Sequence, residues 1–491
     1  MLYQSTRGSW PPVSASAAVV GGIAPDGGLY VPAEIPVFKP GELIELAGLP
    51  YAARAYRIMT RYFDDFAAGE LAKIVDRAWG GRTRFDVAGV APLKGAAGVS
   101  FLELWHGPTS AFKDVALQFL PGAMEAARKK LGIAEQTLIL VATSGDTGKA
   151  ALEGFRDVPG THCAVFYPEG GVSAVQRLQM ETQRGGNVSV IAVKGNFDDA
   201  QTGVKKLFAD EAYNAALKQK GWALSSANSI NWGRLAPQIV YYVSAWCDLF
   251  SAGRIGPDEP VDFVVPTGNF GNILAGWYAR AMGLPVGRLI CASNKNRVLA
   301  DFFTTGHYDM NRPFYQTISP SMDILLSSNL ERLLFELSGR DSAWVASTMA
   351  ELRVSGRYAV SPAFRAEAEK VFRSGAADDH ETKAAIKEVY ESAGYLMDPH
   401  TAVAWKVLQD VGVERQTVIV STASPYKFAA DVLDALAGES AAGLSAVARL
   451  HALTGLDVPE ALAELSNLPE RHNRVCEVPA MGEALLQALG G

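Results

Sequence analysis

In Leu138-Ile139-Leu140-Val141-Ala142-Thr143-Ser144-Gly145-Asp146-Thr147-Gly148-Lys149-Ala150-Ala151-Leu152 a short apolar run feeds a Ser/Gly/Asp/Thr turn and then a helix-forming sequence. It reads as strand, loop, helix. Successive backbone N–H groups at such a helix start, with the hydroxyls of Thr143, Ser144 and Thr147, make a seat for an anion such as a carboxylate. The stretch is not a triphosphate-binding P-loop, which needs Gly where Thr143 stands and Ser or Thr where Ala150 stands.

Residues 261–276, VDFVVPTGNFGNILAG, repeat the arrangement with an apolar strand, a Gly-rich loop and a helix carrying small residues on one face. Gly268 and Gly271 permit close backbone approach, and N–H groups with the helix dipole can meet a phosphate although the loop has no Lys or Arg. The glycine spacing at 268, 271 and 276 is not the dinucleotide pattern G-x-G-x-x-G. The plainer alternative is a tight βα turn with packing glycines.

A third segment, His106-Gly107-Pro108-Thr109-Ser110-Ala111-Phe112-Lys113-Asp114, is a turn that ends in a lysine and opens a helix. Burial by Phe112, Val115 and Leu117 would desolvate Lys113, lower its pKa and make it competent to form a Schiff base. The alternative is a solvated lysine in the first turn of a surface helix.

From about residue 91 onward, apolar runs alternate with helical segments. Leu138–Ala142, Cys163–Tyr167, Val188–Val193, Phe263–Pro266, Leu289–Ala292 and Val418–Ser421 are the expected strands. Such alternation predicts parallel sheet with helices on both faces and ligand loops at the strand C-termini. Residues 1–90, with helix-like runs at Leu43–Leu46, Tyr51–Phe66 and Gly69–Trp79, read as an N-terminal cap. The expected division places one lobe in 91–225 and the other in 226–435, with strand exchange between them allowed. A helical extension follows in 436–491.

A chain of 491 residues, 48% hydrophobic, holds more than one domain's worth of core. Its net charge of −7 argues against sequence-independent nucleic-acid binding. Cys163, Cys247, Cys291 and Cys476 are widely spaced without a CxxC, which predicts reduced thiols and neither disulfide nor metal site. The absence of a continuous apolar run of about 20 residues, and of a basic-then-apolar leader, predicts no membrane span and a cytoplasmic location.

The three segments together closely resemble the threonine synthases, pyridoxal-phosphate (PLP) enzymes of fold type II. The resemblance extends to Ser5-Thr6-Arg7, to DGGLYVP at 26–32, NSINW at 228–232, SPSMDI at 319–324 and SSN at 327–329. It continues through DPHTA at 398–402 and STASPYKF at 421–428, in the family's order from about residue 3 to residue 430. It points to the longer, bacterial and fungal subgroup.

The resemblance implies a tryptophan synthase β-like α/β fold, two open parallel-sheet lobes with an N-terminal cap domain. In that reading Lys113 holds PLP and shuttles protons, and Thr267, Gly268, Asn269, Phe270, Gly271 and Asn272 cradle its phosphate. Thr422 faces the pyridine nitrogen, and Thr143, Ser144, Gly145 and Thr147 grip the substrate carboxylate. Asp146 stands where related β-replacement enzymes carry Asn; a carboxylate beside the cofactor's 3′-oxygen would be repelled, so Asp146 is either protonated or turned away, and the expectation is that it turns toward a backbone N–H at the helix start.

The implied reaction takes O-phospho-L-homoserine and water to L-threonine and phosphate, in a monomer or homodimer. Arg234, with Asn228, Ser229 and Asn231, is the candidate seat for the departing phosphate. His106 is either an acid/base group or a structural histidine, and His400 has helix capping as its plain alternative. The competing activity on the same scaffold is a phospho-lyase or dehydratase releasing a 2-oxo acid and ammonia. A non-catalytic protein would not need the intact Lys113 and anion loops.

Overall fold

Val261-Asp262-Phe263-Val264-Val265-Pro266 is buried along its whole length, as a strand covered on both faces must be. Its carboxylate at Asp262 is satisfied inside the protein by the backbone N–H of Arg288 (2.6 Å) and by its Nε (2.7 Å). The computed structural model describes residues 1–81, 84–87 and 89–490; Gly491, the last residue of the expected extension, lies outside them.

Near the N-terminus, β1 (Leu2–Ser5) pairs antiparallel with β2 (Val13–Ser14) and β3 (Tyr30–Pro32). The next strands in the chain are β4 (Leu93–Ala96), β5 (Val99–Glu103), β6 (Gln136–Ala142), β7 (Thr161–Pro168), β8 (Val188–Lys194) and β9 (Trp222–Ser225). They are followed by β10 (Val261–Pro266), β11 (Val286–Ser293), a short ribbon of β12 (His307–Asp309) and β13 (Arg357–Ala359), then β14 (Phe372–Ala376), β15 (Thr417–Ser421) and β16 (Arg474–Glu477). All six expected strands form.

Two sheets carry the site. One has the order β14-β11-β10-β15-β5-β4 and the other β16-β8-β7-β6-β9. Every pairing in them is parallel except that of β4 with β5. A division at residue 225 separates these sheets only in part, because β4 and β5 pair into the sheet built by residues 261–421. The tail read as helical likewise contributes β16, parallel to β8.

These strands escape a hydropathy reading for physical reasons. β5 is wholly buried yet carries Ser100 and Glu103, whose polarity breaks the apolar run. Arg254 Nη1 satisfies Ser100 Oγ at 2.9 Å and His106 Nε2 satisfies Glu103 Oε2 at 2.8 Å. β16 is mostly exposed, and only its partner strand defines it.

The N-terminal segment is packed onto the lysine-bearing helix. Tyr51–Tyr62 and Ala68–Trp79 form amphipathic helices that bury Ile58, Met59, Leu71 and Trp79. Trp79 stacks on Phe119 with ring centroids 5.3 Å apart, and its indole N–H donates to Val115 O at 3.0 Å. Burial of apolar side chains of this size contributes about 1.5–3 kcal/mol each, so the Lys113–Leu117 turn is held from below by a substantial core.

The ends of β5, β6, β10 and β15 converge. Leu104 N–H donates to Ser421 O (3.0 Å) and Phe112 N–H to Thr422 O (2.8 Å), which stitches β5 and the lysine turn to the end of β15 and to Thr422 just beyond it. Ligand loops therefore meet where parallel strands end.

Candidate active site

The turn before Lys113 is closed by Asp114. Thr109 donates its backbone N–H (2.8 Å) and its hydroxyl (2.7 Å) to the two carboxylate oxygens. Gly107 is required there, since a β-carbon would stand 2.6 Å from Asp114 Cβ. Lys113 is buried, with Nζ donating to Ser321 Oγ at 3.0 Å and 3.7 Å from Asp146 Oδ2. Burial lowers the amine to about 8; Asp146 opposes that shift, while Arg234 and Lys427 add to it.

In the 143–147 loop the Thr143 hydroxyl accepts from Gly145 N–H (3.0 Å) and Gly148 N–H (2.9 Å). Its oxygen thus staples the turn, and Ser144 and Thr147 offer the loop's remaining hydroxyls to the cavity. Gly145 has φ 131°, a conformation reserved for glycine, and any β-carbon would meet Gln176 at 2.4 Å.

Asp146 does not cap the helix with a backbone bond, contrary to expectation. Its Oδ1 accepts from Lys427 Nζ (2.7 Å) and Gln176 Nε2 (2.9 Å), and its Oδ2 from Ser321 Oγ (3.4 Å). Burial would raise its pKa, but the two lysines outweigh it and hold the carboxyl far below the usual range. A buried ammonium is a stronger partner than a helix-end N–H. Neither Gly145 nor Asp146 is among the residues lining the cavity.

The Thr267–Asn272 loop is shaped by its neighbours. Ser327 Oγ donates to Gly268 O (2.8 Å) and Asn329 Nδ2 to Asn269 O (2.9 Å), turning those carbonyls away from the site. Phe270 takes φ 62° and packs against Phe303, which sets the start of the Gly271–Ala281 helix. The first N–H groups of that helix have no intrahelical acceptor. Asn272 Oδ1 accepts from the hydroxyls of Tyr241 (2.6 Å) and Tyr242 (2.8 Å), which assigns the amide's orientation. Its Nδ2 is buried with no partner among the described residues, and Asn272 lines the cavity. Two glycines, free helix-start N–H groups and an orphan amide fit an oxygen-rich dianion such as a cofactor phosphate.

Asn228, Ser229 and Arg234 line the same cavity. Arg234 is 5% exposed, donates to Ala227 O at 2.6 Å, and has no carboxylate within ion-pair distance among the described residues. Burial lowers it to about 10. Asn231 points elsewhere: its Nδ2 donates to Val19 O (2.8 Å) and its Oδ1 caps Gly233 N–H (2.9 Å), so it anchors the Trp232–Ser251 helix to the N-terminal segment. Thr422 joins Lys113 and the two loops around a space of about 360 Å³.

The histidines take different places. His400 Nε2 accepts from Ser321 N–H (3.1 Å) while Nδ1 bonds Asp398 Oδ1 (2.8 Å); the cap of its helix is Asp398. His106 lies outside this cavity, between Asp86 and Glu103. Ser321, Lys427 and Gln176 join the site only through the fold, by their contacts to Lys113 and Asp146. Ser321 and Lys427 lie in the SPSMDI and STASPYKF motifs, and Gln176 in a capping box with Ser173. No group of metal-binding side chains and no membrane-crossing helix occurs among the described residues.

A family model for the threonine synthase N terminus matches residues 2–79, one for pyridoxal-phosphate dependent enzymes matches 80–423, and one for the threonine synthase C-terminal region matches 401–488. The threonine synthase of Pseudomonas aeruginosa is 42% identical over 450 residues, covering 90% of this chain and 92% of that protein. Threonine synthase-like 1 of Macaca fascicularis is 42% identical over 454 residues, covering 88% of this chain; the chain spans 60% of that relative's length. The crystal structure of PLP-bound threonine synthase from Brucella melitensis superposes with a TM-score of 0.88 at 38% identity and 99% coverage of both chains. The yeast threonine synthase structure gives 0.88 at 34% identity, covering 100% of this chain and 99% of the other. The chain belongs to the threonine synthase family of pyridoxal-phosphate-dependent enzymes.

Proposed function

We propose that this protein converts O-phospho-L-homoserine and water to L-threonine and phosphate, with pyridoxal phosphate held on Lys113. The observation that carries the reading is one cavity lined by a buried lysine amine, the Asn272 loop and Arg234, a buried guanidinium without a carboxylate partner. The cofactor, when bound, supplies a conjugated ring that delocalises the electron pair left when a carbon beside the amine loses its proton.

The chain's own groups divide the remaining work. The Thr267–Asn272 loop, with Asn272 Nδ2, would hold the cofactor phosphate, and the Thr422 hydroxyl, able to donate or accept, would face the ring nitrogen. Ser144, Thr147 and the helix-start N–H groups orient the substrate carboxylate. Lys113 Nζ, near neutrality in its pKa, takes and returns protons at the reacting carbons. Arg234, with Asn228 and Ser229, receives the phosphate leaving Cγ, and water adds at Cβ. Asn231 acts by holding the helix that presents Arg234.

In this reading residues 1–90 cap and brace the site, 91–225 and 226–435 supply two lobes that exchange strands, and 436–491 extend them. The protein acts in the cytoplasm as a monomer or homodimer, in keeping with its free cysteines. The test is an absorbance scan of purified protein with and without O-phospho-L-homoserine, with threonine, phosphate and 2-oxobutyrate quantified from one tube. Threonine and phosphate in equal amounts are expected. 2-Oxobutyrate as the main product would instead assign a phospho-lyase, and no visible band would refute the cofactor role of Lys113.

A further inference from the structure

Lys427 is 0% exposed and does not line the cavity, yet it shares a carboxylate with the lysine that does. Its ammonium contacts Asp146 Oδ1 at 2.7 Å and donates to Thr109 O at 2.8 Å, in the turn that leads to Lys113. Lys427 thus ties the Asp146 carboxylate to the backbone of the lysine turn. Gln176 Nε2 occupies the same Oδ1 at 2.9 Å, and Gln176 is itself fixed by its capping box with Ser173. Oδ1 is thereby saturated, and Oδ2 is left facing Ser321 Oγ (3.4 Å) and Lys113 Nζ (3.7 Å). Ser321, which accepts from Lys113 Nζ at 3.0 Å, is held in turn by His400 through its backbone N–H.

This geometry has a consequence for Lys113. A neutral Lys113 amine is required for bond formation to a carbonyl carbon, and a lone Asp146 beside it would oppose loss of the ammonium proton. With Lys427 in place, Asp146 remains a paired anion whichever protonation state Lys113 adopts. Resting on the function proposed above, we propose that Lys427 is a positioning residue that orients Asp146 and offsets its negative charge, and thereby sets the pH at which Lys113 is neutral. The other charged or titratable groups around the pair are Asp114 on the Lys113 helix, Arg234, Lys149 and Glu153 on the Asp146–Phe155 helix, and His400. Among the described residues, the hydrogen-bond and ion-pair partners of the Asp146 carboxylate are Lys427, Gln176, Ser321 and Lys113.

The test uses two readouts on the full chain. One is the pH midpoint of the visible absorbance of the PLP-loaded protein; the other is the pH midpoint for acylation of Lys113 by acetic anhydride in the cofactor-free protein, followed by peptide mass spectrometry. Lys427→Met should raise both midpoints by about 1 pH unit, Asp146→Asn should lower them, and Lys427→Arg should leave them near wild type. The double variant Asp146→Asn/Lys427→Met, which removes both charges and leaves none unpaired, should return near wild type and above Asp146→Asn alone. Midpoints for Lys427→Met within about 0.3 unit of wild type overturn the proposal. If Lys427→Met does not fold, equal midpoints in the double variant and Asp146→Asn overturn it. A wild-type protein without a visible band defeats the cofactor reading, whereas the acylation midpoint still decides the role of Lys427.

Discussion

A β-carbon at Gly268 would stand 2.4 Å from the carbonyl oxygen of Ser321, whose hydroxyl accepts from Lys113 Nζ. The Thr267–Asn272 loop and the segment whose Ser321 meets Lys113 are therefore in backbone contact, with no room for any side chain at 268. Backbone oxygen does not swing aside as a flexible side chain does. Gly268→Ala should weaken PLP binding at least about tenfold, or roughly 1.4 kcal/mol, measured by absorbance titration of cofactor-free protein. Unaltered affinity would mean that the two loops separate on cofactor binding.

Arg234→Ala should raise KM for O-phospho-L-homoserine by about 10- to 100-fold, the range expected for losing a charge-assisted hydrogen bond of about 1.5–3 kcal/mol. The cofactor's absorbance should change little, because the 268–272 loop and Asn272 hold its phosphate in the proposed site. Steady-state kinetics beside a spectrum separates the two effects; an unchanged KM would remove Arg234 from the substrate site.

Trp79→Ala should lower stability by about 3–5 kcal/mol, since it deletes a fully packed indole and leaves Val115 O without its donor. Trp79→Phe should lose less, retaining the stack on Phe119. Thermal unfolding of both variants checks the ranking. Cofactor loading should fall in Trp79→Ala before the protein unfolds, because Val115 lies in the Lys113 helix.

His106 supplies a pH-dependent tie. Burial works against its charge, but hydrogen bonds to Asp86 and Glu103 overcome that and raise it to about 9 from 6.5. A pKa raised on folding contributes stability that is full below about pH 6.5 and is lost as pH rises through about 9. Asp86 is 52% exposed, so screening limits the tie to about 1 kcal/mol. His106→Gln should therefore lower the thermal midpoint at pH 6 and match wild type near pH 10. A constant difference across that range would indicate packing on Trp105 instead of charge.

Much of the site was legible in the chain before its fold was known. Lys113, the 143–147 loop and the 267–272 loop are contiguous segments whose local chemistry already describes a desolvated amine and two anion seats. The Asn231 amide suits an anion and a helix cap equally in the sequence, and only its hydrogen bond to Val19 O, which folding supplies, commits Nδ2 and leaves Oδ1 to cap Gly233 N–H. Thr143 likewise faces the cavity but uses its oxygen to hold the loop's own N–H groups. Lys427 and Ser321 stand 314 and 208 residues from Lys113 by sequence number, beyond the reach of any local pattern.

The alternation of strand, loop and helix is written locally, because backbone propensity, apolar runs and glycine turns act within a few residues. Tertiary structure alone decided which strands share a sheet and which charges share a partner. β5 crosses to the sheet of β10 and β15, where it is buried on both faces, and β16 returns to β8, where its backbone groups find partners. Asp146 chooses Lys427 over a backbone N–H for the same reason: a buried charge is stabilised by the opposite charge that folding brings to it.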